Sequence, residues 1–334
     1  MRGYRIVTLF FKPAHEAGHG RLSAAAMAAA TAATICLAGC ASLGEPDRMA
    51  STEAIDGVGV TLFAAGDIAD CRKIAAAQSG AALTAALIAE RLATDPAAVV
   101  LALGDIAYGS GLQSEFDSCY VPTWGRFRAR TVPAPGNHEY YTPGAPGYFA
   151  YFGALAGPGT RGYFSREIGS WHVISLNSNL RPPASEAQLD WLREDLAALR
   201  QRSRDGCVLA FWHHPLYSSG GHGNNAHMRA TWQVLLEGRA DVVLSAHDHD
   251  YERFDPQDAD SNLDVKNGIR SFVVGTGGAV LTLLGPTKPN SRAQDTNDFG
   301  VLEMVLKPTG YEWAFLAVNR PVPLDTGSAH CHAG

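Results

Sequence analysis

Apolar runs and helical patterns alternate along the chain after residue 58. The runs VTLFAAGD, AVVLALGD, CVLAFWHH and ADVVLSAH are almost continuously apolar, which is typical of strands buried on both faces of a largely parallel sheet. Between them, SGAALTAALIAERLATD, SEAQLDWLREDLAALRQR and MRATWQVLLEGRA repeat apolar residues with the period of a helix. The pattern predicts an α/β fold in which amphipathic helices cover a buried sheet.

The final third of the chain has a different pattern. The segments GIRSFVVGTGG, FGVLEMVLKP and YEWAFLAV follow one another as strands without helices between them. A second sheet that packs on the first is the arrangement that buries them. We therefore expect an α/β fold of two mixed β-sheets packed face to face and flanked by helices.

The N-terminal residues predict a targeting signal. A basic lead, MRGYRIVTLFFKPAHEAGHGR, precedes a short apolar stretch, LSAAAMAAATAATICLAGC, and this order is typical of a secretory signal and too short for a membrane span. LAGC resembles the lipobox of bacterial lipoproteins, in which the cysteine, here Cys40, carries the lipid. An ordinary signal cut after another small residue is the alternative. We expect a signal at 1–39, a tether at 40–58, a folded domain at 59–322 and a C-terminal tail at 323–334.

Export has consequences for charge and for the cysteines. Removal of residues 1–39 takes away four basic residues and one acidic residue, so the formal net charge falls from −6 to about −9. Nucleic acid is therefore not an expected partner, whereas the membrane is expected as one through a lipid anchor at Cys40. Four cysteines remain beyond it, which predicts two disulfides in the periplasm or cell envelope. Three pairings are open, and we favour Cys71 with Cys119 and Cys207 with Cys331.

Side chains that bind metals follow the ends of five apolar runs. Because ligands bind beyond the carboxyl ends of strands in open α/β sheets, we expect these side chains to share one crevice. In an extended His-x-His segment both imidazoles point to the same side and the residue between them points away. The residues concerned are Asp67, Asp105 with Tyr108, Asn137 with His138, His213 with His214, and His247 with His249.

Each of these segments alone also has a structural explanation. An isolated Gly-Asp is usually a turn, a lone His-x-His is usually a surface pair, and Asn137 after Gly136 equally fits a left-handed turn. Taken together, carboxylate, amide and imidazole donors in this number match hard to borderline divalent or trivalent ions. The sequence therefore predicts a metal site at the strand ends.

The order GD, GDxxY, GNHE, HxP and HxHxYER resembles the calcineurin-like metallophosphoesterases, and within them the purple acid phosphatases, across residues 60–320. The wider superfamily carries Asp-x-His as its first motif, but here Ala69 replaces that histidine and Tyr108 supplies the missing ligand, as in the purple acid phosphatases. Ala246 stands where the family usually has glycine. We expect no counterpart of the N-terminal fibronectin-like domain of the plant enzymes, which leaves the oligomeric state open.

The resemblance implies the αββα sandwich of the superfamily and two metal ions, Fe(III) together with Fe(II), Zn(II) or Mn(II). Asp105 would bridge the two ions. His213 is preferred over His214 because the family ligand lies two residues before the proline. The Fe(III) ligands would be Asp67, Asp105, Tyr108 and His249, and those of the second ion Asp105, Asn137, His213 and His247.

The resemblance also implies an activity. A metal-bound hydroxide would hydrolyse a small phosphate ester, most simply a monoester, without a covalent phosphoenzyme. His138 would lie beside the ions and orient the substrate or protonate the leaving oxygen, and His222 is a second candidate for contact with the departing group. The alternatives are a phosphodiesterase or nucleotidase on the same fold, and a non-catalytic surface lipoprotein that retains the fold for binding.

Overall fold

The computed structural model describes residues 55–203 and 205–332. The predicted signal at 1–39, the lipidation site Cys40 and most of the predicted tether at 40–58 lie outside the described residues. Ile55, which we had assigned to the tether, is buried. No helix in the described part of the chain combines the length and the apolar composition that a membrane span requires.

The described residues form thirteen strands and six α-helices. The strands are β1 (Val60–Ala65), β2 (Val99–Leu103), β3 (Thr131–Ala134), β4 (Phe164–Ile168), β5 (Trp171–Ser175), β6 (Val208–Phe211), β7 (Val242–Ser245), β8 (Tyr251–Gln257), β9 (Ile269–Val274), β10 (Ser291–Asp295), β11 (Gly300–Lys307), β12 (Gly310–Ala317) and β13 (Asp325–His330). The helices are α1 (Gly80–Thr94), α2 (Gln113–Glu115), α3 (Asn137–Tyr140), α4 (Pro146–Phe152), α5 (Ala184–Arg202) and α6 (Arg229–Glu237). Short 3₁₀ or π turns lie at Ala76–Gln78, Phe116–Tyr120, Trp124–Arg130, Gly153–Ala156 and Ala226–Met228.

The strands make two mixed sheets. One has the order β13-β12-β11-β1-β2-β3 and the other β10-β8-β9-β7-β6-β5-β4. Within the first sheet β1, β2 and β3 run parallel, and within the second β5, β6, β7 and β9 do so. The two mixed sheets with flanking helices confirm the predicted fold class.

The apolar strand β6 shows why the sheets are buried on both faces. Successive side chains of a strand point to opposite faces. Leu209 and Phe211 belong to the core shared by both sheets, whereas Val208 and Ala210 belong to the second core. That second core also contains Leu192, Leu196 and Leu199 of α5 and Trp232 of α6. The continuous apolar run is therefore required because both faces of β6 are covered.

The C-terminal residues correct one predicted boundary. The expected tail at 323–334 is wrong for residues 325–330, because these form β13 and pair with β12. Asp325 of β13 accepts hydrogen bonds from Arg253 Nε (2.7 Å), Tyr251 Oη (2.7 Å) and Trp313 Nε1 (3.1 Å). The polar composition of β13 hid it, because the strand lies at a sheet edge and is held by charge rather than by apolar burial.

Both preferred disulfides are confirmed. Cys71 pairs with Cys119 and Cys207 pairs with Cys331. The second bond joins the residue before β6, in one sheet, to the residue after β13, in the other.

Candidate metal centre

The predicted strand-end residues converge. Loops after five strands bring carboxylate, amide and imidazole side chains to one edge of the two sheets, beyond the carboxyl ends of the parallel strands, as expected for an α/β fold. Asp67 follows β1, Asp105 follows β2, Asn137 follows β3, His213 follows β6, and His247 and His249 follow β7.

One group of donors surrounds the hydroxyl of Tyr108. This hydroxyl donates to Asp67 Oδ1 at 2.7 Å and lies 3.2 Å from His249 Nε2. Asp67 Oδ1 is also 3.2 Å from the same His249 nitrogen. An oxygen of a carboxylate, a phenol oxygen and an imidazole nitrogen therefore meet at one point.

A second group of donors adjoins the first. One ligand atom each from Asp105, His213 and His247 lies within 4.8 Å of the others. His213 Nε2 is 3.1 Å from Asp105 Oδ2 and 3.2 Å from His247 Nδ1. The side-chain oxygen of Asn137 is buried and has no hydrogen-bond partner, while its amide nitrogen donates to Tyr141. A buried carbonyl oxygen without a donor is costly unless a cation or water satisfies it.

Asp105 links the two groups. Its Oδ2 lies 3.1 Å from His213 Nε2 and 3.4 Å from the Tyr108 hydroxyl. Its other oxygen, Oδ1, accepts a hydrogen bond from the backbone N–H of His138 at 2.8 Å. One carboxylate thus faces both groups of donors, and its orientation is fixed by the main chain.

The loops adopt backbone conformations that only tight packing maintains. Asp67, Asp105 and His247 have positive φ angles of 56°, 48° and 72°, a region that residues other than glycine rarely adopt. A Cβ at Gly136 would lie 2.1 Å from Asp105 Oδ1, and one at Gly104 would lie 2.7 Å from His213 Cβ. Glycine is therefore required at both positions, because the loops after β2, β3 and β6 approach one another there.

Backbone carbonyls orient two of the histidines. His213 Nδ1 lies 3.0 Å from the carbonyl of Leu103, and His249 Nδ1 lies 2.7 Å from that of Val280. A carbonyl oxygen can only accept, so the ring nitrogen Nδ1 carries a proton, and in the neutral imidazole Nε2 presents its lone pair to the site. This is the arrangement found in histidine ligands of metals.

The electrostatics of the metal-free site are those of a cation site. Although burial opposes it, the Asp105 and Asp67 carboxylates raise the pKa values of His213 and His249 to about 9. Burial and His213 lower the pKa of His247 to about 4. The protonated His213 and His249 therefore offset the negative charge of the neighbouring carboxylates. Metal binding must displace these protons.

The side chain of Tyr108 also requires a cation if it is to act as a ligand. Burial, followed by the Asp67 and Asp105 carboxylates, raises its pKa well above the usual value for a phenol. Without a cation the side chain is a neutral donor, and only a strongly charged ion converts it into a phenolate ligand. The donor set of oxygens and imidazole nitrogens fits hard to borderline ions, so the residues present fit a metal centre.

His138 lies beside the two donor groups. Its Nδ1 is 2.7 Å from the carbonyl of Gly109, and its Nε2 is 3.8 Å from Asp105 Oδ2. The ring packs between Tyr108 and Tyr141, with centroid distances of 4.2 and 4.6 Å. The structure therefore places His138 Nε2 next to the centre and outside both groups of donors.

The segment that contains His247 and His249 corrects one detail. We expected an extended His-x-His, but residues 246–250 form successive tight turns, in which Asp248 N donates to Ala246 O and Asp250 N to Asp248 O. The turns are needed because His247 and His249 belong to different groups of donors. The Asp248 carboxylate contacts the loop that contains Ser218, His222 and Gly223.

Asp248 is a positioning residue that the sequence analysis missed. Its carboxylate accepts from His222 N (2.7 Å), Ser218 Oγ (2.5 Å) and Gly223 N (3.2 Å), and lies 3.0 Å from His222 Nδ1. His222 in turn stacks on His247, with ring centroids 4.4 Å apart. The predicted residue His222 therefore packs against one predicted metal ligand, and the acidic residue between two histidines was the available signal.

Glu139 was also missed. It is fully buried and accepts from the backbone N–H groups of Gly136 (2.8 Å), Ile106 (2.8 Å) and Ala107 (3.2 Å). One side chain thereby joins the loops after β2 and β3. Glu139 is the third residue of α3 and caps its N-terminus, which was the available signal.

His214 lies outside the donor groups. Its Nδ1 is 2.7 Å from Ser178 Oγ, and its ring packs against His247 at 4.4 Å. Burial and the neighbouring His213 lower its pKa. It is therefore a neutral lining residue beside the centre.

Comparison with known proteins gives the family. The model of the calcineurin-like phosphoesterases matches residues 61–251, which is more than half of the chain. The chain belongs to the calcineurin-like phosphoesterase family. The matched range contains every donor described above, so the predicted family resemblance is confirmed.

Within the family the chain resembles purple acid phosphatases. It is 30% identical over 193 residues to purple acid phosphatase 15 of Arabidopsis thaliana, covering 46% of this chain and 35% of that protein. It is 30% identical over 173 residues to purple acid phosphatase 1 of Ipomoea batatas, covering 46% of this chain and 36% of that protein. The chain thus spans little more than a third of the length of these relatives.

Two solved structures share the fold. Purple acid phosphatase PPD1 from yellow lupin superposes with a TM-score of 0.63 at 19% identity, over 82% of this chain and 54% of that chain. GAP50, the anchor in the inner membrane complex of Plasmodium, superposes with a TM-score of 0.62 at 13% identity, over 83% of this chain and 90% of that chain.

Proposed function

We propose that the protein is a metal-dependent phosphohydrolase that hydrolyses phosphate monoesters at a dinuclear centre. The observation that carries the proposal is the position of Asp105 between two complete groups of donors. One ion would be held by Asp67, Asp105, Tyr108 and His249, and the other by Asp105, Asn137, His213 and His247.

Metal ions bound by these two groups of donors would supply a nucleophile from water at near-neutral pH and would neutralise the charge of the phosphate oxygens. The chain's own residues position the reaction. Asp105 fixes the spacing of the two sites, and its link to the His138 backbone fixes the imidazole relative to both. As water oxygen bonds to phosphorus and the bond to the leaving oxygen breaks, His138 Nε2 gives its proton to that oxygen.

The donor set favours a trivalent ion at the Tyr108 site. The Tyr108 hydroxyl has a raised pKa and two carboxylates beside it, so the ion bound there has to carry a high charge. We therefore propose Fe(III) at this site and Fe(II), Zn(II) or Mn(II) at the site of His213.

We further propose that the protein is exported and held at the membrane through a lipid on Cys40. The LAGC sequence after an apolar stretch supports it, and so do two disulfides, which persist in oxidising compartments. The expected substrate is a small phosphate ester. A non-catalytic binding role is the second candidate, because the fold is shared with GAP50, the anchor in the inner membrane complex of Plasmodium.

The test combines metal analysis with a substrate panel. Wild-type protein, Asp105→Asn and the control Asp264→Asn, on an exposed loop, are purified from the exported fraction. We expect about two ions per chain in wild type and control, with turnover of monoesters faster than that of diesters, and loss of both metal and turnover in Asp105→Asn. Preference for diesters would indicate a phosphodiesterase, and metal without turnover of any ester would refute the proposed activity.

A further inference from the structure

Residues 279–285, here called the rim segment, carry exposed apolar side chains beside the metal centre. The sequence AVLTLLG contains no regular secondary structure. The side chains of Val280 and Leu283 are 74% and 81% exposed. Single exposed apolar residues are common on protein surfaces, so exposure alone does not indicate a binding site.

The rim segment differs because its backbone is tied to the centre. Ala279 N donates to Asp67 O at 2.8 Å, Val280 O accepts from His249 Nδ1 at 2.7 Å, and Thr282 N donates to His249 O at 3.0 Å. Gly285 N further donates to Ser219 O at 2.6 Å. The segment is therefore fixed at two proposed ligands of one metal ion while its apolar side chains remain in solvent.

A third exposed side chain with an apolar surface, that of Tyr141, lies near the metal centre. Tyr141 is 60% exposed and packs against His138 at 4.6 Å. The ring of Tyr108 lies between His138, at 4.2 Å, and His249, at 6.1 Å. Tyr141 thus adjoins the proposed proton donor, and the rim segment adjoins the ligand on the opposite side of Tyr108.

We propose that the rim segment and Tyr141 bind the apolar part of the leaving group, so that the substrates are phosphate monoesters with an alkyl chain of several carbons. The inference rests on the proposed phosphohydrolase function and names the substrate class of that same site. Pockets for small molecules combine apolar walls with a few fixed polar groups. Here the polar groups hold the phosphate, Tyr141 adjoins the proposed proton donor His138, and the rim segment adjoins His249.

The experiment measures how kcat/KM depends on chain length. The substrates are ethyl, butyl, hexyl and octyl phosphate below their micelle-forming concentrations, with the metal-loaded full chain. Full burial of one methylene raises the binding constant by a factor of about four. A wall that is partly open to solvent therefore predicts about a twofold gain in kcat/KM per methylene. Octyl phosphate is then turned over on the order of tenfold more efficiently than butyl phosphate.

Two variants test whether the gain in kcat/KM with chain length depends on the rim segment or only on the hydrophobicity of the substrate. In Leu283→Ser, and in the double variant that adds Val280→Ser, the gain between butyl and octyl phosphate falls below about threefold. The Val280 carbonyl that holds His249 is retained in both. Val265→Ser is the control, because Val265 is 75% exposed and precedes β9 at the end of the sheet away from the centre; it keeps the full gain.

The outcomes distinguish this inference from the proposed function. Turnover of p-nitrophenyl phosphate with no chain-length dependence in wild type overturns the inference and leaves the function standing. If no ester is hydrolysed, the affinity for alkylphosphonates of different chain length is measured by calorimetry. An affinity that rises with chain length in wild type but not in Leu283→Ser supports the inference. An affinity that does not change with chain length overturns it. A flat series combined with binding to phosphatidylglycerol vesicles that Leu283→Ser abolishes would make the rim a membrane contact and overturn it too.

Discussion

Replacement of His138 by alanine tests the proposed proton donor. The imidazole is positioned by three contacts: the Gly109 carbonyl at 2.7 Å from Nδ1, and the rings of Tyr108 and Tyr141 on its two faces. Because Nδ1 binds a carbonyl, Nε2 is the nitrogen that exchanges a proton with the substrate. His138→Ala removes this group while the backbone N–H that binds Asp105 remains.

The magnitude follows from how well the donor is held. A positioned acid contributes about 10²- to 10⁴-fold to the rate. The His138 side chain is 20% exposed, so water reaches the vacated position and replaces part of the effect, which favours the lower end of the range. We expect a loss in kcat of about a hundredfold on alkyl monoesters and a clearly smaller loss on p-nitrophenyl phosphate, whose leaving group departs as a stable anion.

The assay compares kcat for ethyl phosphate and p-nitrophenyl phosphate in wild type, His138→Ala and the control His330→Ala, an exposed residue at the end of β13. Metal content is measured for each and stays at the wild-type value in both variants. Equal losses on the two substrates would refute the assignment, because a residue that only positions phosphate is indifferent to the leaving group. Loss of a metal ion in His138→Ala would show that His138 is itself a ligand.

Three further predictions concern colour, anchoring and stability. Iron-loaded wild type absorbs visible light through the phenolate, and Tyr108→Phe is colourless; a colourless, active wild type holding only divalent ions would exclude Fe(III). Cys40→Ser moves the protein from the membrane fraction to the soluble fraction at unchanged specific activity, unless the mature chain begins elsewhere. Asp325→Ala leaves Arg253 without its bidentate partner and lowers the free energy of unfolding by about 3–5 kcal/mol. Asp260→Ala, which breaks the exposed pair with Arg229, changes it by less than about 1 kcal/mol, and equal shifts in chemical denaturation would contradict the structural role of Asp325.

The sequence was informative where a buried strand ends in a polar side chain. A strand covered on both faces needs a continuous apolar run, and the change to Asp67, Asp105 or His213 marks the end of the strand at one edge of the sheet, where these side chains are buried at the metal centre. Parallel strands share that edge, so positions far apart in the chain could be assigned to one site. The predicted convergence of the donors followed from these two facts.

The details that the sequence left open depend on contacts distant in the chain. The turns at residues 246–250 form because Asp67 Oδ2 binds the His247 backbone at 2.8 Å, which no local propensity encodes. β13 escaped notice because pairing with β12 and the Arg253 contact stabilise it. The 279–285 segment has no periodicity, since its conformation is set by hydrogen bonds to Asp67 and His249.

The pairing of β1 with β11 has a consequence for the order of folding. β1 lies inside its sheet between β2 and β11, with Val60 opposite Leu306. During synthesis the emerging chain therefore has a half-built sheet with an open edge until residues near 306 are made, and contacts between residues so distant in the chain form slowly. The disulfide between Cys207 and Cys331 can form only after residue 331 has been made. A polypeptide with this topology cannot complete its first sheet until its synthesis is nearly finished, so residues 60–134 must wait for the C-terminal strands before their sheet is closed by β11.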